Sequence, residues 1–596
     1  MLMIMRRTKK LSILVLLLGG VGLLVQSTVV RMDREADDTT QIESLGLDGR
    51  DIDGRSVTLL IDLDDDVSDS TIERIEGEVR EAVLPFHSAI EAEALGDELN
   101  DAANLFRLSV PMSELRDVEA ALLDEDLEAF EIEATFTVPE NEYAQFALDA
   151  TPADGAEPLV PNDPYYKHQW HLDQIQMPQA WRRSQGEGAI VAVIDTGVLF
   201  RDHGRHRQAP DLVDTNFVPG WDFVDGDDTP DDGHGHGTHV AGTIAQSTNN
   251  GLGVAGVAPA ARIMPIRVLD DRGAGRYGNV AAGIRWAVDN GANILNLSLG
   301  GPTPSPAISN AIRYAHSKNV LVVVAAGNTG RSRVQFPGSA AHAFSVGAVR
   351  FDEELSFYSS HGRKLDIVAP GGDLRVDQNG DGLPDGVVQN TMLPRRPGQH
   401  DYLGYQGTSM AAPHVAGVAA LLYANGVTDP DAIERILEST AKAKSDRMRY
   451  GAGLIQADDA LVAASQKEGA KGLLAALLAF VAFGFARRRF GLAVGAALLA
   501  GGGFVGFSAF GFLASSLGAF WPVVLSVALP LGLAALGHHK KFGRLGVALV
   551  SAGLAGWLLV EAASPSLASG VLVGPWLVLS AALSMWVARV TLRDAK

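Results

Sequence analysis

The 596-residue chain has no cysteine. That excludes disulfide scaffolds, thiolate metal sites, cysteine nucleophiles and iron–sulfur clusters. No basic stripe interleaved with aromatic residues is present either, so nothing points to nucleic acid as a partner. With 47% hydrophobic and 20% charged residues, the chain is not wholly disordered. Its length is about four times the ~150-residue prior for one domain, which predicts several domains or large attachments.

The formal charge of −22 is unevenly placed. Residues 31–150 hold 34 acidic and 8 basic residues, residues 1–30 hold only four basic ones, and the other 446 residues balance at 37 of each sign. One acidic segment therefore carries the imbalance, as in a tail, a chaperone-like piece or a propeptide.

The two ends predict export and a membrane. Arg6, Arg7, Lys9 and Lys10 precede an apolar run from Leu11 to Val25, the length of a signal peptide and short for a span. After Val25 there is no good small-x-small cleavage site, so an uncleaved signal anchor stays open. Residues 471–596 hold ten basic residues and only Glu561 and Asp594 as acids. Apolar stretches run at about 472–486, 490–513, 518–537, 545–562 and 567–588. Lysine and arginine clusters follow the first, third and fifth, and none follows the second or fourth. That alternation predicts five helices, an all-α transmembrane bundle with the C-terminus inside and the preceding domain outside. The expected location is the cytoplasmic membrane, with the preceding domain periplasmic or extracellular and the lipid bilayer as a partner.

Within the acidic segment, residues 57–63, 105–110 and 130–138 read as strands, with helix-like stretches from Ser68 and from Ser113. A β-α-β-α-β order suits a small split-βαβ domain. Residues 151–160 read as a linker.

The chemistry lies further on. The run AIVAVIDTG is continuously apolar and ends in Asp195, as a strand buried on both faces of a parallel sheet does. GHGHGTHVAGTIA places His236 at the start of an apolar helix. His234, His236 and His239 lie close enough to raise a metal reading, but the zinc-protease pattern of two helical histidines with a glutamate between is absent. His239 reads as a core histidine. VLVVVAAGN delivers Asn328 beyond the end of another buried strand, and GTSMAAPHVAG puts Ser409 at a helix N-terminus. Pro413 is expected in the first turn of that helix, where it is tolerated.

Together DTG, HGTHVAGT, AAGN and GTSMAAPHVAG resemble the subtilisin-like serine proteases over about residues 161–464. The resemblance implies an α/β fold with a parallel sheet flanked by helices over 161–465, polypeptide substrates, and a catalytic triad of Asp195, His236 and Ser409 with Asn328 in the oxyanion hole. It makes Ser298, Leu299 and Gly300 the substrate-cleft strand. It also places Gln335 in the wall of the primary pocket, which a bulky amide would make shallower. Residues 31–150 then become an inhibitory prodomain and a partner of the same chain, followed by the 161–465 catalytic domain, a short linker at 466–471 and the 472–596 membrane region.

Calcium is the expected cofactor, since many relatives depend on it. Asp377, Asn379, Asp381 and Asp385 have spacing resembling a calcium loop, with Val388 where an EF-hand would place its glutamate. Asp225, Asp227, Asp228 and Asp232 form a weaker candidate. A catalytically silent, membrane-tethered binding protein and a membrane transporter with an accessory protease are the rival readings. Transport lacks the intramembrane acidic or paired charges it would need.

Overall fold

A computed structural model describes residues 56–63, 92–94, 105–111, 127–138, 143–145 and 160–465 apart from 395. The signal run, the helix-like stretches of the acidic segment and the five apolar stretches after 471 lie outside the described residues. Among the described residues no helix is long and apolar enough to cross a membrane.

The first sheet has the order β2-β3-β1-β4, built from β1 (Ser56–Leu63), β2 (Ala92–Ala94), β3 (Leu105–Pro111) and β4 (Leu127–Ile132). All its pairs are antiparallel. The strand expected as one element over 130–138 divides in two. β4 stays in this sheet, while β5 (Thr135–Thr137) pairs antiparallel with β11 (Ala274–Arg276). The reason is at the break: the Glu133 carboxylate is held by Arg107 at 2.9 Å and takes the Gly278 N–H at 3.1 Å. That fixes the chain against the larger domain just where the strand would have continued. A further short strand, β6 (Tyr143–Gln145), follows where none was expected.

The larger sheet is parallel, as the apolar runs predicted. Its order is β15-β14-β13-β12-β7-β10-β8, with β9 also on β10. The strands are β7 (Ile190–Asp195), β8 (Asn216–Phe217), β9 (Trp221–Asp222), β10 (Arg262–Arg267), β12 (Ile294–Leu297), β13 (Leu321–Ala325), β14 (Ala343–Val349) and β15 (Ile367–Pro370). Two cores flank it. On one face Val191, Val193, Val323 and Val346 pack with α1 (His236–Ala245) and α4 (Thr408–Ala424). On the other, Ala192, Ile194, Leu295 and Val322 pack with α2 (Tyr277–Asp289) and α3 (Pro306–Ser317). Strand residues of alternating parity thus serve opposite faces, and both faces are dry, so the sequence alternates little in polarity.

α2 and α3 also carry the first sheet. Asp62 of β1 meets Arg285 at 3.3 Å and accepts from Asn310 Nδ2 at 2.8 Å, all three buried. Glu131 accepts from Ser305 Oγ at the N-cap of α3 and from the Ala307 N–H at 3.4 Å. Carboxylates at helix N-termini meet unpaired N–H groups and the positive end of the helix dipole.

Candidate active site

Asp195 ends β7, and His236 opens α1 on the same face of the sheet. His236 Nδ1 donates to Asp195 Oδ1 at 2.7 Å, with both side chains fully buried. Asp195 Oδ1 also accepts the Thr196 N–H at 2.8 Å. The helix can come this close because residue 237 is glycine; a Cβ there would overlap the Gly197 carbonyl oxygen. His236 Nε2 is buried and has no hydrogen-bond partner among the described residues.

Ser409 is the second residue of α4, which packs on α1. Its Oγ donates to the Ser298 carbonyl at 3.1 Å rather than to His236, a looser arrangement of the kind free enzymes often show. Ser298 Oγ in turn donates to the Ser409 carbonyl at 2.8 Å and accepts from Asn296 Nδ2 at 3.0 Å. Pro413 stands in the second turn of α4, not in its first turn as expected. Its missing N–H would have served the Ser409 carbonyl, and Ser298 Oγ supplies that bond instead.

Asn328 Oδ1 accepts from the Thr408 N–H at 2.9 Å and from its hydroxyl at 2.8 Å. Those two bonds fix the amide and turn its Nδ2 donor away from Thr408, toward Gly407. Ser298, Leu299 and Gly300 follow the end of β12 rather than forming the expected strand, and Gln335 lies between them and the Asn328 loop. Its Cβ is 3.7 Å from where a Cβ on Gly300 would stand, and its Oε1 occupies the space a Cβ on Gly327 would need. Asp195 and His236 thus form one bonded pair, and Ser298, Gly300, Asn328, Gln335 and the start of α4 with Ser409 form a second contact group, on helices α1 and α4 that pack together.

The other histidines divide as the sequence suggested. His239 donates from Nε2 to the Val387 and Leu403 carbonyls at 3.0 and 3.2 Å, and burial pulls its pKa down to about 3. His234 is half-buried in the loop, and burial beside His236 lowers it. A pair that sequence reasoning missed lies deeper: His171 Nδ1 donates to His414 Nε2 at 2.8 Å, and His414 Nδ1 to the Met410 carbonyl at 2.7 Å. Burial keeps both neutral.

The two expected calcium loops differ. Asp232 does not join Asp225, Asp227 and Asp228. Its oxygens accept from Thr196 Oγ1, the His234 and Gly235 N–H groups and both donors of Thr238, which builds the turn ahead of His236. Asp225 pairs with Arg267 at 2.6 Å, and Asp227 accepts from the Thr229 N–H at 2.8 Å. That set does not fit a cation. In the 377–385 loop, Asp377 accepts from Gly380 and Gly382, Asn379 from Asp381, and Asp381 from Leu383. Asp385 Oδ1 is buried without a partner among the described residues, and burial with Asp377 and Asp381 nearby raises its pKa. That loop fits a hard cation through one orphaned oxygen.

Among the described residues no group of three or more histidine, aspartate or glutamate side chains is spaced to hold a metal. A better-placed pair of carboxylates was not singled out from sequence. Asp163 and Asp211 are almost fully buried, and burial raises both, Asp211 to about 7. Asn250 joins them, its backbone N–H to Asp163 at 3.1 Å and its Nδ2 to Asp211 at 3.0 Å. No lysine or arginine pairs with either among the described residues. Two desolvated carboxylates without a basic partner suit an oxygen-ligated cation. Sequence spacing hid them because the two aspartates are 48 positions apart.

The larger domain is similar to known proteins. Residues 186–453 match the peptidase S8, subtilase family. Thermitase from Thermoactinomyces vulgaris is 40% identical over 294 residues, which cover 49% of this chain and 95% of that protein. M-protease from Shouchella clausii is 36% identical, covering 65% and 87%. Subtilisin BL from Lederbergia lenta is 40% identical, covering 49% and 97%. The chain belongs to the subtilase family and is a serine endopeptidase.

Proposed function

We propose that hydrolysis runs through Ser409, His236 and Asp195, in an exported enzyme made as a self-processing zymogen and anchored in a membrane. The observation that carries the catalytic assignment is the buried Asp195–His236 bond, which leaves His236 Nε2 without a partner among the described residues, on a helix that packs against α4. Ser409 Oγ turns from the Ser298 carbonyl, gives its proton to His236 Nε2 and attacks the substrate carbonyl carbon. Asp195 holds the imidazole tautomer and stabilises the imidazolium. Asn328 Nδ2 and the Ser409 N–H receive the oxyanion. The C–N bond breaks as His236 returns the proton to the leaving amine. Water then repeats the sequence on the acyl-enzyme, releasing the acid and restoring Ser409.

Residues 31–150 serve as the prodomain in this reading. The capping of α2 and α3 by Glu133 and Glu131, and the β5–β11 pairing, support it. Calcium, where bound, would be held by Asp163 and Asp211 or by the Asp377–Asp385 loop, and would neutralise buried carboxylates rather than take part in the chemistry. The basic and uncharged loops after 471 support a five-helix anchor that holds the protease on the periplasmic or extracellular side. Peptide hydrolysis by wild type and by Ser409→Ala tests the catalytic assignment. Loss of turnover with an unchanged fold is expected, and undiminished turnover in the variant would refute it.

A further inference from the structure

Two short strands ahead of residue 160 pair with segments of the larger domain that lie close in sequence or space to His236 and Ser409. The first, β5, pairs with β11, and the Val138 N–H donates to the Gly273 carbonyl at 2.7 Å. Gly273 is also next to His234, since a Cβ on it would stand 3.3 Å from His234 Nε2. His234 is two residues before His236. The second, β6, pairs antiparallel with the end of β17 (Arg396–Tyr405), whose other neighbour is β16 (Val387–Leu393), with Tyr143 opposite Tyr405, Ala144 opposite Gly404 and Gln145 opposite Leu403. Tyr405 is four residues before Ser409. Only four residues of sequence separate Val138 from Tyr143.

The two strands are held differently. Phe136 of β5 is fully buried, stacks on Tyr277 with ring centroids 4.2 Å apart and lies against Gly301. β6 buries little: Tyr143 is 46% exposed and its ring centroid is 6.3 Å from that of Tyr405. Gln145 adds one side-chain bond to Asp401. β6 is therefore held chiefly by main-chain pairing, the generic mode by which an edge strand takes any extended peptide.

We propose that β6 is a tethered competitor for the leaving-group side of the cleft, and that full activity on long polypeptides needs a second cut beyond Gln145. The proposal rests on the self-processing reading above. The first cut hydrolyses one peptide bond between Val138 and Tyr143, water giving OH to the new carboxyl group and H to the new amine. β5 departs with the fragment before it. β6 stays covalently attached to the protease, 15 residues ahead of Val160. A tether of that length holds it at an effective concentration on the order of millimolar. A polypeptide substrate must displace β6 from β17. A short peptide anilide, whose leaving group is a single ring, need not.

The test uses the full chain. Timed N-terminal sequencing should give a first new terminus at 139–143 and a later one beyond Gln145. The once-cut form should show a KM about ten-fold higher than the twice-cut form for a twelve-residue peptide, with equal KM for a short anilide. Ala144→Pro and Gln145→Pro, made separately, present proline on either side of the strand, so one of them removes a ladder donor. That variant should lower the long-peptide KM of the once-cut form and leave the anilide KM alone. Should either proline impair folding, an inserted site for an unrelated protease after Gln145 removes β6 without substitution. A first terminus already beyond Gln145, or equal long-peptide KM in the two forms, would overturn the proposal. Absence of turnover on both substrates would instead strike the catalytic assignment.

Discussion

Replacing Ser298 by alanine should destabilise the protein through the carbonyl of Ser409 more than through lost packing. Ser298 and Asn296 are fully buried and Ser409 is 5% exposed. In an ordinary helix the Ser409 carbonyl would take the N–H four residues on, but that residue is Pro413. Ser298 Oγ fills the position at 2.8 Å, and its removal also takes the acceptor from Asn296 Nδ2. Leaving a buried carbonyl without its donor costs about 1–3 kcal/mol. For a domain of this size that is a fall in Tm on the order of 5 °C. Calorimetry on the full chain, with a serine-protease inhibitor present to prevent autolysis, measures it. The decisive comparison is with Pro413→Ala, which returns an N–H to the helix. In that background Ser298→Ala should cost at least about 1 kcal/mol less, a coupling that a double-mutant cycle reads directly. Equal costs in the two backgrounds would refute the reasoning.

Three further outcomes are expected. Burial pushes the Glu131 carboxyl up from 4.5 to about 7 despite its bonds to Ser305 and Ala307, with Asp62 and Glu133 adding to the rise. A raised carboxyl contributes docking stability that is fully present below about pH 4.5 and lost as pH rises through about 7. In uncleaved Ser409→Ala protein, the melting difference between Glu131 and Glu131→Gln should therefore shift in favour of Gln from pH 5 to 8, and a difference constant with pH would contradict this. Calcium should raise Tm, and Asp211→Asn should shrink that rise more than Asp225→Asn, because Asp211 is buried without a basic partner whereas Asp225 is exposed and paired with Arg267; equal effects would remove the Asp163–Asp211 pair from the account. Reporter fusions after Arg489 and Lys596 should read cytoplasm and one after Ser566 the exterior, while an exterior signal at Lys596 would break the five-span arrangement.

The parallel sheet was legible because both its faces are dry, so β7 and β13 appear as unbroken apolar runs. The candidate site residues were legible as candidates because each sits within a few positions of a strand end or helix start whose glycines and small residues are written locally: Gly237 beside Asp195, and Ala411 and Ala412 after Ser409. What escaped was set by contacts between distant segments. The break of one strand into β4 and β5 follows from Glu133 reaching Arg107 and Gly278, and no window around residue 133 contains those partners. The role of Ser298 toward Pro413, the His171–His414 pair and the Asp163–Asp211 pair are of the same kind. Asp232 shows the converse. It looked like one of a crowd of acids, yet its five donors make it the organiser of the turn that presents His236.

The most direct test of the central claim is the position of a covalent fluorophosphonate adduct on the full chain after its acidic segment is released. Mass spectrometry of the labelled protein should place one adduct on Ser409, and His236→Ala should nearly abolish labelling, because Ser409 reacts only when His236 takes its proton. An adduct on another serine, or labelling of Ser409 undiminished by His236→Ala, would contradict the account.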